Sequence, residues 1–292
     1  MTSIDCNGAP KILAVLAAAA WFTGTQLAPG HGDLYEQIVS VTAQIQASPD
    51  RADLYLRRAN LHFHREDRSA AAADYDRAEK LSPSLDAVHL GRGKLFLAEG
   101  RLDKAQAEID RFLSRNSAQV EALVTRGRIE VARGLPLPAA ADFAKAIECS
   151  QHPEPDHYME LARALALAGD THLDEALHAL DKGSATLGNL PSLGLYALEL
   201  EVRLNRFDAA LARIGRLSAH SPRQEGWLER SGDIQILAGR RREAAECFRC
   251  ALKAIARLPE NVKITKSVRD REASLTHKLK ALGMPPSSAI SP

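Results

Sequence analysis

Ala71, Ala105 and Ala139 stand 34 residues apart, and Ala59, Gly93 and Gly127 keep the same interval, as do Gly100 and Gly134. Small residues returning at that period are the signature of a helical repeat array, in which each unit is one helix pair. A lone pair cannot bury its apolar face, so the units stack and the core grows along a line. The length of 292 residues therefore does not imply two globular domains. An array of this kind has no enclosed catalytic cavity, and the chain reads as a binding scaffold.

Laid out on the period, Ala52 to Pro83 supplies Tyr55, Ala59, His62, Ala71, Tyr75, Ala78 and Pro83. Asp86 onward supplies His89, Gly93, Phe96, Gly100, Ala105, Ile109 and Phe112, and Val120 onward supplies Leu123, Gly127, Gly134, Ala139, Phe143 and Ala146. A bulky fourth residue, a small eighth, a glycine at fifteen, alanine at twenty and an aromatic or apolar residue at twenty-four resemble the tetratricopeptide repeat. The resemblance implies an all-α solenoid, a right-handed superhelix of antiparallel helix pairs.

Later units are degenerate but in register. Tyr158, Ala162, Leu165, Gly169, Ala176 and Leu180 form a fourth, with two extra residues between Gly169 and Ala176. Leu198, Phe207, Ala210 and Ile214 mark a fifth, and Leu228, Gly232, Gly239, Ala244, Phe248 and Ala251 a sixth. The expected repeats are 52–85, 86–119, 120–153, 154–190, 191–224 and 225–259. Leu34, Ile38, Val41 and Ile45 predict a capping helix over 33–49, in the place of a second helix because Pro49 precedes Pro83 by one period. Ile264, Val268, Leu275, Leu279 and Leu282 predict a C-terminal capping helix over 260–283, polar on its outer face, followed by a disordered tail over 284–292.

The first thirty residues fall outside the array. Lys11 precedes an unbroken apolar stretch, Ile12 to Phe22, of eleven residues. That is too short for the roughly 20 of a membrane-spanning helix and suits the roughly 7–15 of a signal peptide. Small residues at Ala28 and Gly30 predict cleavage between Ala28 and Asp33. Export to a periplasmic or extracellular compartment follows, with no membrane span left afterwards; without cleavage the chain stays cytoplasmic.

Net charge and chemistry narrow the function. A formal charge of +1 argues against nucleic acid, which calls for a basic stripe. Cys247 and Cys250 have the C-x-x-C spacing of redox and metal sites, but they fall in a helix interior with no second ligand pair. They read as half-buried packing thiols, with redox or metal handling the outside alternative. His62 and His64 point to different sides of a helix, and Gly91-Arg92-Gly93 lies inside one. No nucleophile elbow, phosphate loop or metal-binding histidine pair is present. The expectation is a non-enzyme without metal or cofactor.

In the tetratricopeptide family the first helix of each pair lines the concave surface with its second, fifth, ninth and twelfth places. Carried over, the ninth place reads Asn60, Lys94, Arg128, Arg163, Glu199 and Asp233. The fifth reads Leu56, Leu90, Val124 and Met159 over the first four repeats, and the twelfth Phe63, Leu97 and Val131 over the first three. The resemblance implies a peptide groove in which fixed cations bond a partner's acidic or terminal carboxylate, flanked by apolar rails. In the carboxylate-clamping subset the sixth place is also basic, but here it holds Gly91 and Thr125. Two alternatives stay open: a solvated face neutralised by Asp53, Glu121 and Asp156 at the second place, and an accessory subunit that docks by its convex face.

Overall fold

The computed structural model describes residues 31–284; the candidate export segment 1–30, with Cys6, and the tail 285–292 lie outside them. Fifteen α-helices follow one another among the described residues: α1 His31–Ala47, α2 Ala52–His64, α3 Arg68–Leu81, α4 Ala87–Ala98, α5 Leu102–Leu113, α6 Val120–Ala132 and α7 Pro136–Cys149. Then come α8 Pro155–Ala168, α9 Leu173–Leu187, α10 Pro191–Arg203, α11 Phe207–Ser218, α12 Glu225–Leu237, α13 Arg241–Ala256, α14 Glu260–Lys263 and α15 Lys266–Ala281. From α1 to α13 each helix packs chiefly on the one before and the one after it, and α15 packs on α13, the linear arrangement of a solenoid.

One register explains the pairing. A residue at the eighth place of a first helix meets the residue sixteen further on, in the second helix. A Cβ on Gly93 would lie 2.4 Å from the Ile109 side chain, one on Gly127 2.7 Å from the Phe143 ring, and one on Gly232 2.3 Å from the Phe248 ring. All three partners are buried. Gly91 is closed in as well, since its Cβ would fall 2.5 Å from the Tyr75 ring. Both glycines of the Gly91-Arg92-Gly93 stretch are therefore packing residues.

The turns repeat as closely as the contacts. The fifteenth place adopts left-handed backbone at Gly100, Gly134 and Gly239 (φ 72°, 75° and 75°), where a side chain would be strained. Glu66 and Asn205 hold the same place at φ 63° and 57° without being glycine. In each of these turns the next N–H reaches back across the helix end, as Arg101 N to Phe96 O at 2.8 Å and Leu135 N to Glu130 O at 2.8 Å, the bond of a Schellman cap. The two-residue insertion of the fourth unit is a short 3-10 turn, Asp170–His172.

The C-terminal helix departs from expectation. It breaks after Lys263 into α14 and α15, with Thr265 capping the start of α15, and Ile264 falls between them with 61% of its surface exposed. Ile264 therefore leaves the predicted apolar stripe, whose remaining members Val268, Leu275 and Leu279 pack with Phe248 and Ile255 of α13.

Candidate functional site: the first-helix face

The first helices α2, α4 and α6 stand side by side and form an open depression of about 310 Å³ lined by Phe63, Lys94, Leu97, Glu121, Val124 and Arg128, among others. The geometry brings together five of the residues expected in a groove: Phe63, Lys94, Leu97, Val124 and Arg128. The apolar rail is sunk deep. Val124 is buried, and Leu56, Leu90, Leu97, Val131 and Met159 are half-buried against the core. Phe63 keeps part of its ring free, with the Lys94 ammonium 5.7 Å above it. Asn60 is exposed, and its side-chain oxygen accepts the Tyr75 hydroxyl at 2.7 Å.

The three cations of the ladder are not equivalent. Lys94 Nζ lies 2.5 Å from Glu121 of the next first helix. Arg128 Nε bonds Glu160 at 2.7 Å, not the Asp156 suggested by sequence. Arg163 is exposed, pairs with no carboxylate among the described residues, and lies with its guanidinium 5.9 Å from the Tyr196 ring. Beyond it the acidic rungs are partly taken. Asp233 accepts from Lys278 of α15 at 2.7 Å, and Glu229 accepts from Lys278 and Arg271 at 2.9 and 3.0 Å. In repeats two and three the sixth place has no room for a cation: Gly91 is closed off by Tyr75, and buried Thr125 donates its hydroxyl to Glu121 O at 2.7 Å.

Comparison with known proteins comes down to architecture. No family model matches. Among curated proteins, the Protein CTR9 homolog of Arabidopsis thaliana is 30% identical over 114 residues, which covers 39% of this chain but only 10% of that protein. Among solved structures, the C-terminal part of a TPR repeat-containing protein from Cytophaga hutchinsonii superposes with a TM-score of 0.62 at 13% identity, over 82% of this chain and 94% of that one. The fold is a tetratricopeptide-repeat solenoid. A tetratricopeptide repeat protein from Parabacteroides merdae (TM-score 0.51, 18% identity, 84% and 93% coverage) and PilF from Pseudomonas aeruginosa (0.52, 16%, 76% and 97%) share it.

At the seventh place the solenoid departs from the repeat pattern in a way that the small-residue period does not show. The pattern carries leucine seventh; here repeats one to three carry Arg58, Arg92 and Arg126, each with an acid sixteen residues on at Asp74, Glu108 and Asp142. Arg58 bonds both oxygens of Asp74 at 2.7 Å, and Arg126 bonds those of Asp142 at 2.6 and 2.7 Å. Arg92 bonds Glu108 at 2.9 Å, and the other oxygen of Glu108 lies 2.7 Å from Nδ1 of buried His89. These pairs sit next to the small-bulky contact, one residue before it on each helix. The signal is in the sequence as two further 34-residue triads of charged residues. Repeat five inverts the arrangement, with Arg213 in the second helix and Glu201 in the first, both buried, at 2.7 and 2.9 Å.

At the eleventh place of repeat three, Glu130 takes a position the pattern gives to an aromatic residue. One carboxylate oxygen is buried without a partner among the described residues. Burial, with repulsion from Asp142 and Asp110 outweighing Arg126 and Arg133, pushes its pKa up from 4.5 to about 7.

The thiols differ from expectation. Among the described residues Cys149 and Cys250 are exposed and Cys247 is half-buried. Packing does not draw Cys250 inward because its neighbour Phe248 already fills the inward face of α13. Burial first, then Cys250 and Glu246, raise the Cys247 pKa, which disfavours the thiolate needed for redox or metal chemistry. Among the described residues no three His, Cys, Asp or Glu side chains are grouped to hold a metal ion, and no helix is long and apolar enough to cross a membrane.

Proposed function

We propose that this solenoid is a non-enzymatic protein-interaction scaffold that holds an extended, acidic or C-terminal segment of a partner protein along its first-helix face. The observation that carries this reading is the contrast between Arg163, exposed and without a carboxylate, and Lys94 and Arg128, each already bonded to one. A partner carboxylate would find its free donor at Arg163 beside Tyr196, with Met159 on the same helix. An apolar side chain of the same segment would enter the depression of Phe63, Leu97 and Val124 two first helices away. Export through the segment 1–30 belongs to this reading. It is tested by N-terminal sequencing of protein recovered from its host, where an intact Met1 in the soluble cytosolic fraction would refute it.

The binding test is affinity capture from the native compartment, followed by titration of the captured partner against Arg163→Glu. Removing one member of a desolvated charge pair costs about 2–5 kcal/mol, so affinity should drop at least about thirtyfold with helicity unchanged. Arg128→Glu should weaken binding less, because Glu160 already neutralises it. Affinity within about threefold for Arg163→Glu, against about 0–1 kcal/mol for a solvated pair, would leave the ladder as a solvated face.

A second reading has its own observation. In repeat four the ionic pair of the seventh place is replaced by Leu161 and Ala179, which with Leu137 and Leu165 line a cavity of about 380 Å³. Leu135 and Leu137 beside it are 45% and 49% exposed. A subunit that docked away from the ladder would use this patch, and short acidic peptides would not compete with it.

A further inference from the structure

The formal charge of +1 conceals a division of the chain. Residues 240–281 hold twelve Lys and Arg against five Asp and Glu, or +7, which leaves 26 against 32, or −6, for the rest. The positive end is α13 to α15. Lys278 and Arg271 turn inward to the acids of α12, whereas Lys266, Arg269 and Lys280 are exposed and pair with no carboxylate among the described residues. Ile264 stands bare beside them. At the other end, α1 carries Asp33 and Glu36 and no lysine or arginine. Along it runs an exposed apolar stripe at helical spacing, Tyr35, Val39 and Ala43, with Tyr35 58% and Val39 50% exposed and the Arg65 guanidinium 5.8 Å over the Tyr35 ring.

The two ends also complement each other in type. Glu229 meets Arg271 and Asp233 meets Lys278, so the contacts advance together along both helices and α15 runs parallel to α12. It holds the place of a first helix, the relation that Lys94 to Glu121 makes between α4 and α6. α1 precedes α2 as a second helix precedes the next first helix. Among the described residues, one end thus offers a first helix with no second helix packed on it, and the other a second helix with no first helix before it.

We infer that copies of this chain associate head to tail, α1 of one copy docking on the α14–α15 cap of the next. The interface joins Tyr35 and Val39 to the surface around Ile264 and sets Asp33 and Glu36 against Lys266 and Arg269. The contact is heterologous, so it does not close on itself and produces short concentration-dependent chains. Much of its attraction is electrostatic and acts over a Debye length of about 10 Å at 0.1 M salt.

The test is sedimentation velocity of the chain as recovered from its host, from about 1 to about 100 μM, so that mass action reveals a weak contact. The weight-average sedimentation coefficient should rise with concentration at low salt, and the association should weaken about tenfold or more at about 0.5 M salt. Two charge reversals then probe the ends: Lys266→Glu with Arg269→Glu, and Asp33→Lys with Glu36→Lys. Each variant alone should remain monomeric, with circular dichroism unchanged. Their equimolar mixture should associate again, because each reversed end then finds a complementary one. A wild type that stays monomeric throughout, variants that associate alone, or a mixture that does not recover would each overturn the inference. So would binding of the monomer to vesicles of anionic lipid in place of self-association, since the cap would then serve a membrane surface.

Discussion

Arg213 and Glu201 offer the sharpest test of what the charged pairs contribute. Both side chains are almost wholly buried, at 8% and 4% exposure, and they share two bonds of 2.7 and 2.9 Å. Glu201→Ala removes both bonds and leaves a guanidinium in the interior, for which breaking a buried pair costs about 3–5 kcal/mol. Two features put the value at the low end. Asp181 keeps its bond to Arg213 at 2.9 Å, and Arg213 lines a cavity of about 520 Å³ through which water can reach it. A loss of about 3 kcal/mol is therefore expected. The double variant Glu201→Leu with Arg213→Leu removes both charges together and extends the apolar contacts of Leu198 and Ile214, so it should lie within about 1 kcal/mol of the wild type. The readout is urea unfolding followed by circular dichroism, with hydrogen exchange on α10 and α11 because a repeat array can open locally. A double variant as unstable as the single one would show that the pair is a net stabiliser in its own right, and the argument from desolvation would fail.

Three further outcomes follow from the repeat geometry. Gly93→Leu should cost about 1–3 kcal/mol or more through the clash with buried Ile109, and an unchanged melting curve would contradict the assigned register. Glu66→Gly should stabilise by roughly 0.5–1 kcal/mol, since the left-handed turn that it occupies suits glycine; a lower melting temperature would refute this. Glu130 titrates higher in the folded chain than its ordinary 4.5, at about 7, so folding takes up a proton between these values. Stability is then greatest below about pH 5 and falls as pH rises to 7. Because Glu130 is only half-buried, Glu130→Gln should gain just about 1 kcal/mol at pH 8 and nothing at pH 5, as urea titrations at the two pH values would show.

The sequence alone determined the repeat period, and the period carries much of the geometry with it. Once a small residue and a bulky one recur at a fixed offset, the antiparallel pairing of two helices follows, because only that register places Gly127 against Phe143 and Gly232 against Phe248. The turns follow for the same reason, since the fifteenth place must be left-handed and glycine tolerates it. The class of surface was also legible, with apolar fifth and twelfth places beside a polar ninth.

Only the tertiary structure decided which charges were free. A helical position names a face but not its neighbour. Whether Arg128 finds Asp156 or Glu160 depends on how far successive first helices are staggered, and Arg163 meets no carboxylate among the described residues because the next first helix presents Tyr196 there. The break at Ile264 was hidden in the same way. The apolar spacing continues across it, but α14 ends at Lys263 and Thr265 caps the start of α15, and periodicity does not register where hydrogen bonding stops. The concentration of positive charge over residues 240–281 is written in the sequence; its meaning depends on α15 lying where a further first helix stands.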